Sequence, residues 1–317
     1  MFLCLLAMLL TACDWGNSGS SGQHQALQTD NGSTVTYSTR SSDVLVRLFY
    51  GGGKVGTLEL TPEISLYGDG MFITGPSLQL RQGGISNDDL QNLLHTLTGT
   101  DNLLQLHRQV FNDIPNQNAA LLQVTLNDKK YQFVYGPFGH LQEGSQDRHE
   151  YQQLGDAIGA IQQALSHPTQ AYTSPQSALL VHQTFREDFT ENQNQTIPRW
   201  TLSRTLNLAH AAIYECGVVP ADFTSPNLDL GCLNYTIPQL AILLDQQNSN
   251  LVENLLHGTP QQMFLENNDY YIVMLRPLLP DELAQHHVAM YGNNNQDYTP
   301  VPLKSGPIPV PTVTPRA

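Results

Sequence analysis

Arg276, Asp281 and Glu282 stand together in the run Arg276-Pro-Leu-Leu-Pro-Asp-Glu282, the one constellation in this chain whose types and spacing invite chemistry. An arginine beside two carboxylates can act in two ways. Presented at a strand end by a rigid Pro-x-x-Pro turn, its planar guanidinium can grip a ligand carboxylate or a peptide through two parallel hydrogen bonds. Alternatively, Arg276 pairs with Asp281 or Glu282 and locks the turn that follows its strand. The spacing favours this second, structural use. His286-His287 follow Asp281 closely, but adjacent histidines on a helix point in different directions, so no metal site is expected there.

Other reactive signatures fail early. The chain has no G-x-S-x-G elbow, and Ser203 and His210 form no recognised triad by order. His149-Glu150 is not followed by the second histidine of a zinc protease motif. Gly51-Gly-Gly53-Lys54 leads into Val55-Gly-Thr-Leu-Glu-Leu60, a strand pattern rather than the helix of a phosphate loop, and reads as a turn. Asp69 lacks the alternating acidic series of a calcium loop. No catalytic residue, cofactor or metal is expected, although a triad assembled from distant residues is invisible at this level.

The cysteines carry a different message. Met1 to Cys13 is an apolar run ending in Leu10-Thr-Ala-Cys13, followed at once by Asp14, Trp15, Gly16, Asn17 and Ser18. The run is shorter than the roughly 20 residues a spanning helix needs, and has the length of a signal-peptide core. Leu-Thr-Ala-Cys matches the bacterial lipobox, in which the cysteine becomes a lipidated N-terminus. The positive segment that normally precedes such a core is missing here, since only Met1-Phe2 come before it. With Cys4 inside the signal, Cys216 and Cys232 remain, an even pair suited to an oxidising compartment. A disulfide between them would close a loop containing Pro220 and Pro226, worth about 3 kcal/mol by chain entropy; a metal site would need further ligands, and no C-x-x-C occurs.

Composition narrows the partners. Net charge is −14 and only 13% of residues are charged; Lys54, Lys129, Lys130 and Lys304 are the only lysines. Such a chain is a poor match for nucleic acid and for electrostatic docking on anionic headgroups. The expected membrane contact is the lipid on Cys13, which places the protein on the extracytoplasmic face of the cell membrane. A cell-wall or protein partner is left open.

Periodicity supplies the elements that must position these residues. Residues 1–12 read as signal and 13–42 as a flexible Gly/Ser/Asn/Gln-rich tether, in which Thr34-Val-Thr-Tyr37 can add a short strand. From Asp43, Val44 to Tyr50 reads as a buried strand, and Ile64 to Ile73 as a hairpin turning at Gly68-Asp-Gly70. Ser86 caps a helix carrying Leu90, Leu93, Leu94 and Leu97, ended by Gly99, with His95 and His107 as surface or cap residues. A second hairpin spans Ala119 to Gly136. A helix follows from Asp147, where Asp147 and Glu150 have capping-box spacing, and Pro168 stops it. Residues 43–170 thus form one α+β unit.

Residues 171–298 form a second. Ala178 to Val181 and Pro198 to Leu202 read as strands, Thr236 onward as a helix packed through Leu240, Leu243 and Leu244 and, after Asn250, through Leu251, Val252, Leu255 and Leu256, and Tyr270 to Leu275 as a strand. Residues 299–317 are a Pro-rich tail, its extended character setting in at Tyr298. The expected fold is α+β: two two-layer α/β sandwiches built from antiparallel hairpins and amphipathic helices.

The Tyr67-Gly-Asp-Gly70 hairpin, the cysteine-flanked helix and Arg276-Pro-Leu-Leu-Pro-Asp-Glu282 after a strand together resemble a family of lipoproteins and secreted proteins of unknown function, common in actinobacteria and related soil bacteria. The resemblance spans most of residues 43–292; the first unit also looks like a widespread small bacterial domain of unknown function. Family members often carry a cysteine after the last motif, where Leu283-Ala-Gln-His-His287 stands here, so a second disulfide is not expected. The resemblance implies location and architecture, and no activity. The resulting expectation is a membrane-anchored, non-catalytic binding or envelope-structural module. A solute-binding component of a transporter and a cryptic hydrolase are the alternatives; hairpins in place of repeated βαβ lobes speak against the first.

Overall fold

In a computed structural model, residues 24–28, 34–52, 61–114, 117–184, 196–212, 241–291 and 298–304 are described. Cys13, Cys216 and Cys232 lie outside them, as does the Glu191 to Gln195 loop. The fold is α+β, with helices packed on several sheets.

The first domain is an eight-stranded sheet in the order β10-β6-β5-β4-β3-β8-β9-β7. Its strands are β3 (Val44–Gly52), β4 (Ile64–Tyr67), β5 (Met71–Thr74), β6 (Arg81–Gly84), β7 (Val110–Phe111), β8 (Asn118–Leu126), β9 (Lys129–Tyr135) and β10 (Gln170–Ala171). All neighbours are antiparallel except β7 and β9. Both expected hairpins are present. The β8–β9 turn places Asn127 and Asp128 at positive φ, the conformation a two-residue hairpin requires and Asn and Asp tolerate.

Two helices cover one face. Ser86 accepts a hydrogen bond from the Asp89 N–H at 3.1 Å and starts α1 (Asn87–His95), which buries Leu90, Leu93 and Leu94. The α-helix ends at His95, earlier than Gly99. A single wider turn over Thr96–Thr100 follows, closed by the Asp101 N–H on the Thr96 carbonyl. α2 (Gln146–Ala164) is capped by Ser145, whose hydroxyl accepts from Arg148 N–H at 3.2 Å. The capping-box reading of Asp147 and Glu150 is therefore corrected. Ser145 supplies the cap, and the Glu150 carboxylate instead takes the backbone N–H groups of His107 and Arg108.

The flexible-tether reading is also corrected in part. β1 (His24–Gln28) and β2 (Thr34–Ser38) form an antiparallel ribbon, and Val35 and Tyr37 are buried in the first core. Alternation in Thr-Val-Thr-Tyr-Ser gave one buried face, and Asn127 fastens it by accepting from the Thr36 N–H at 2.7 Å.

The second domain is a six-stranded sheet in the order β13-β14-β11-β12-β16-β15. It comprises β11 (Gln176–Thr184), β12 (Ala241–Asp245), β13 (Gln261–Glu266), β14 (Asp269–Pro277), β15 (His287–Tyr291) and β16 (Tyr298–Lys304). α3 (Leu208–Ala211) and α4 (Gln246–Leu256) join one face through Leu208, Val252 and Leu256. Two expectations fail here. Ala241 to Asp245 is a strand and not the start of a helix: a short apolar run fits either period, and Asp245 caps α4 by accepting from Asn248 N–H at 2.9 Å. Tyr298 to Lys304, assigned to the tail, pairs with β15 and runs parallel to β12. Prolines at alternate positions leave the intervening N–H groups able to pair on one side. Pro198 to Trp200 pairs with β13 only through a short bridge around Leu265.

The two domains share a core. Phe49, Leu121 and Val134, on the sheet face away from α1 and α2, pack with Ala289 of β15; Tyr67, Ile73 and Leu80 pack with Leu279. The first sheet is thus covered on both faces. This explains why Val44 to Tyr50 is apolar at nearly every position rather than alternating.

Candidate functional site

The junction between the domains is where the Arg-Pro-Leu-Leu-Pro-Asp-Glu run sits. Arg276 ends β14, Leu278 and Leu279 enter the shared core, and Pro280 opens α5 (Pro280–Gln285) at its first position, where its missing N–H costs nothing. Glu282, three residues beyond Leu279, turns back and accepts the Leu279 N–H at 2.8 Å. That geometry places Asp281 and Glu282 on different sides of one helical turn, facing different arginines.

Glu282 faces its own domain. Its carboxylate pairs with Arg276 at 2.5 Å and accepts the Ala289 N–H at 2.7 Å, while Arg276 also donates to the Ala289 carbonyl. β14 and β15 are four strand positions apart in the sheet, roughly 19 Å if the sheet were flat. An arginine side chain does not extend that far, so the sheet must curl until β15 lies over Arg276. Arg276 is 0% and Glu282 2% exposed. Burial pushes the Glu282 carboxyl up, and the guanidinium opposes it.

Asp281 faces the other domain. Its Oδ1 accepts from Arg47 Nη2 at 2.8 Å and from the Tyr67 hydroxyl at 3.0 Å. Arg47 also donates from Nε to the hydroxyl of Ser65, its register partner on β4, at 3.3 Å. Burial, and then the Asp281 charge, raise Tyr67 well above its ordinary 10.0, so it stays a donor. Tyr172 adds a bond to the Leu278 carbonyl at 2.7 Å, and burial pushes its hydroxyl up to about 12.

The turn before Tyr67 is fixed by its glycines. Gly70 has φ +83°, and a Cβ on Gly68 would stand 2.2 Å from the Ser38 carbonyl oxygen. Gly68 N–H donates to the carbonyls of Arg40 and Asp43. The hairpin tip is thereby pinned beneath residues 38–43. Asp69 accepts the Met71 N–H at 3.1 Å and serves the turn.

Beside this clasp lies a cleft of about 380 Å³, walled by the β1–β2 ribbon, the far face of β3, β8 and β9, and the end of α5. Arg47 and Asp281 form its floor. Gln123 is the register partner of Arg47 on β8, and Thr125 that of Lys130 on β9, so one sheet face lines the cleft with polar groups. Lys130 is exposed overall, yet partial desolvation first, and Arg47 second, lower its pKa, with Asp281 opposing.

Of the residues singled out by sequence, Arg276, Asp281 and Glu282 are brought together, but Asp281 serves a different arginine from Arg276. Sequence reasoning missed Arg47 and Tyr67 as its partners. A charged residue inside Val-Leu-Val-Arg-Leu-Phe-Tyr was the available signal, since a buried charge demands a partner. His286 closes α5 in the left-handed conformation and His287 begins β15; both are exposed. Among the described residues no group of three or more His, Cys, Asp or Glu is arranged to hold a metal. Ser203 donates to the Trp200 carbonyl at 3.4 Å. No protein-family model, curated protein or solved structure matches this chain.

Proposed function

We propose that this chain is a bacterial lipoprotein, held by a lipid on Cys13 at the extracytoplasmic face of the cell membrane, and that its folded part is a non-catalytic binding module. The Leu10-Thr-Ala-Cys13 signature supports the anchor. The observation that carries the binding reading is the cleft at the domain junction: its floor is a buried ion pair already satisfied within the protein, while its walls present further polar groups to solvent. Arg276 and Glu282, which do not line it, are spent on holding β14, α5 and β15 together, which favours a rigid support over a reactive group.

Native mass spectrometry of the whole chain, purified from its membrane, tests both parts. The expected result is a diacylated mass lost in Cys13→Ser, with a further small-molecule mass that disappears on denaturation. An unlipidated mass in the wild type overturns the anchor. A bare protein mass, unchanged after incubation with a soluble envelope extract, overturns the binding reading in favour of a purely structural one.

A further inference from the structure

A second cavity, of about 330 Å³, opens where the two domains meet and shares no lining residue with the cleft above. Its walls are Leu78 and Leu80, on the chain entering β6, Ala171 of β10 with Tyr172 just beyond it, and Pro277 at the end of β14. These walls are fixed from behind. The Tyr172 N–H donates to the Leu80 carbonyl at 2.9 Å and its hydroxyl to the Leu278 carbonyl at 2.7 Å, while Ser77 donates to the Leu275 carbonyl at 3.4 Å. Leu80 packs with Leu279 in the shared core, and Leu78 packs against the core of the second domain. Buried contacts from both domains hold the hollow open, the usual condition of a preformed ligand site at a domain interface.

Charge in this hollow has one sign. Arg81 lines it and is exposed, and its guanidinium has no ion-pair or hydrogen-bond partner among the described residues. No carboxylate lines it; Gln79 is neutral, and burial, which pushes the Tyr172 hydroxyl up to about 12, keeps that group protonated. An entering cation meets only repulsion. A zwitterion leaves its ammonium without a counter-charge beside apolar walls. A carboxylate matches the guanidinium fork with two parallel hydrogen bonds, and an apolar body behind it matches the leucine, proline and tyrosine surfaces. The net charge of −14 slows the approach of an anion, but it is screened beyond about 8 Å at physiological salt and does not oppose a contact made inside the hollow. The volume lies at the small end of ligand sites, roughly 300–1,000 Å³, which excludes large occupants.

We propose that this hollow binds a carboxylate carried on a small apolar body, with Arg81 holding the carboxylate and Leu78, Leu80, Tyr172 and Pro277 enclosing the body. A free apolar acid and the C-terminal residue of a peptide present the same two groups.

The test is a saturation-transfer NMR titration of the full chain with one body and four heads: phenylacetate, phenylacetamide, phenylethylamine and phenylalanine. The expected order puts phenylacetate first, the amide second, and the amine and the amino acid last. Arg81→Met should weaken phenylacetate about tenfold, the loss of a charge-assisted contact, and leave the amide unchanged. Ala171→Phe should fill the hollow and block both. Arg81 and Ala171 are exposed, so neither variant lowers the unfolding midpoint. N-acetylphenylalanine separates the two sources of the carboxylate: binding tighter than phenylacetate assigns the hollow to a peptide end, weaker binding assigns it to a free acid, and either keeps the proposal. Equal binding of all four heads, or phenylacetate unmoved in Arg81→Met, overturns the role of Arg81 and with it the ligand class. Binding that survives Ala171→Phe lies elsewhere and overturns the site. No transfer to phenylacetate, isovalerate or hexanoate sinks the proposal outright, and leaves the junction-cleft reading standing because none of these residues line that cleft.

Discussion

At the N-terminus of α2, Glu150 gathers His107 at 2.5 Å, Gln146 at 3.0 Å and two backbone N–H groups, while Asp147 pairs with Arg108 at 3.1 Å. At the domain junction, Asp281 and Glu282 gather Arg47, Arg276, Tyr67 and two backbone N–H groups. The side-chain types are nearly the same, and the solvent is not. His107 and Arg108 are 49% and 42% exposed; the junction arginines are 2% and 0% exposed. Water can replace the outer partners of the first network, His107 and Arg108, although the Glu150 carboxylate at its centre is 6% exposed. In the second, losing one partner strands a charge in a medium that cannot solvate it. One network trims a helix end, and the other ties the two sheets together alongside the apolar contacts of Ala289 and Leu279.

The largest break in this comparison is Asp281→Asn. It leaves Arg47 buried without its counter-charge and should cost about 3–5 kcal/mol, read as a lower urea midpoint. Combining Arg47→Met with Asp281→Leu should recover most of that loss, because an apolar pair leaves no charge stranded; a double variant as weak as Asp281→Asn would mean that the pair itself, and not the stranded charge, carries the energy. Tyr67→Phe comes next, at about 1–2 kcal/mol, since Asp281 loses one donor. Tyr67 is raised in the folded state, so its contribution is whole below pH 10.0 and is lost as pH climbs through the raised value. Alkaline unfolding should therefore be shallower in the variant.

Asp101→Asn should act in the opposite direction. Burial, and then Asp156, raise Asp101 to about 6, and its Oδ2 has no partner among the described residues. The folded state thus binds a proton more readily between about pH 4 and 6, and wild-type stability falls as pH rises through that window. The variant should be more stable at pH 7 by up to about 1 kcal/mol and flat across the window. Smallest is Asp147→Asn, expected within about 0.5 kcal/mol of wild type and indistinguishable from it in 1 M salt. A loss above 2 kcal/mol there would erase the distinction between the two networks.

Local signals in the sequence were legible where one residue settles the backbone. Gly68-Asp-Gly70 and Asn127-Asp128 each mark their turns because few residues accept those conformations, and Ser86 marks α1 because its hydroxyl takes an otherwise orphaned N–H. Where two short patterns competed, the reading slipped. Ser145 stood two residues before an acidic pair of plausible spacing, and Ala241-Ile-Leu-Leu fits a helix face as well as a buried strand. The β1–β2 ribbon was obscured by its polar composition, because only Val35 and Tyr37 reach the core deeply. Half of the clasp was legible, since Arg276 and Glu282 are six residues apart. The other half was not: nothing local to Arg47 names Asp281, and only the folded sheet order brings them together.

Arg47 and Asp281 are separated by 234 residues. A chain made N-terminus first delivers Arg47, along with Phe49, Tyr67 and Leu121, long before the surface that covers them. Throughout that interval the first sheet has one finished face and one wet, apolar face carrying an uncompensated charge. That arrangement delays locking until Asp281 has been made. It also makes the half-delivered chain a natural client for holding chaperones, and a truncation before Asp281 the lesion most certain to aggregate.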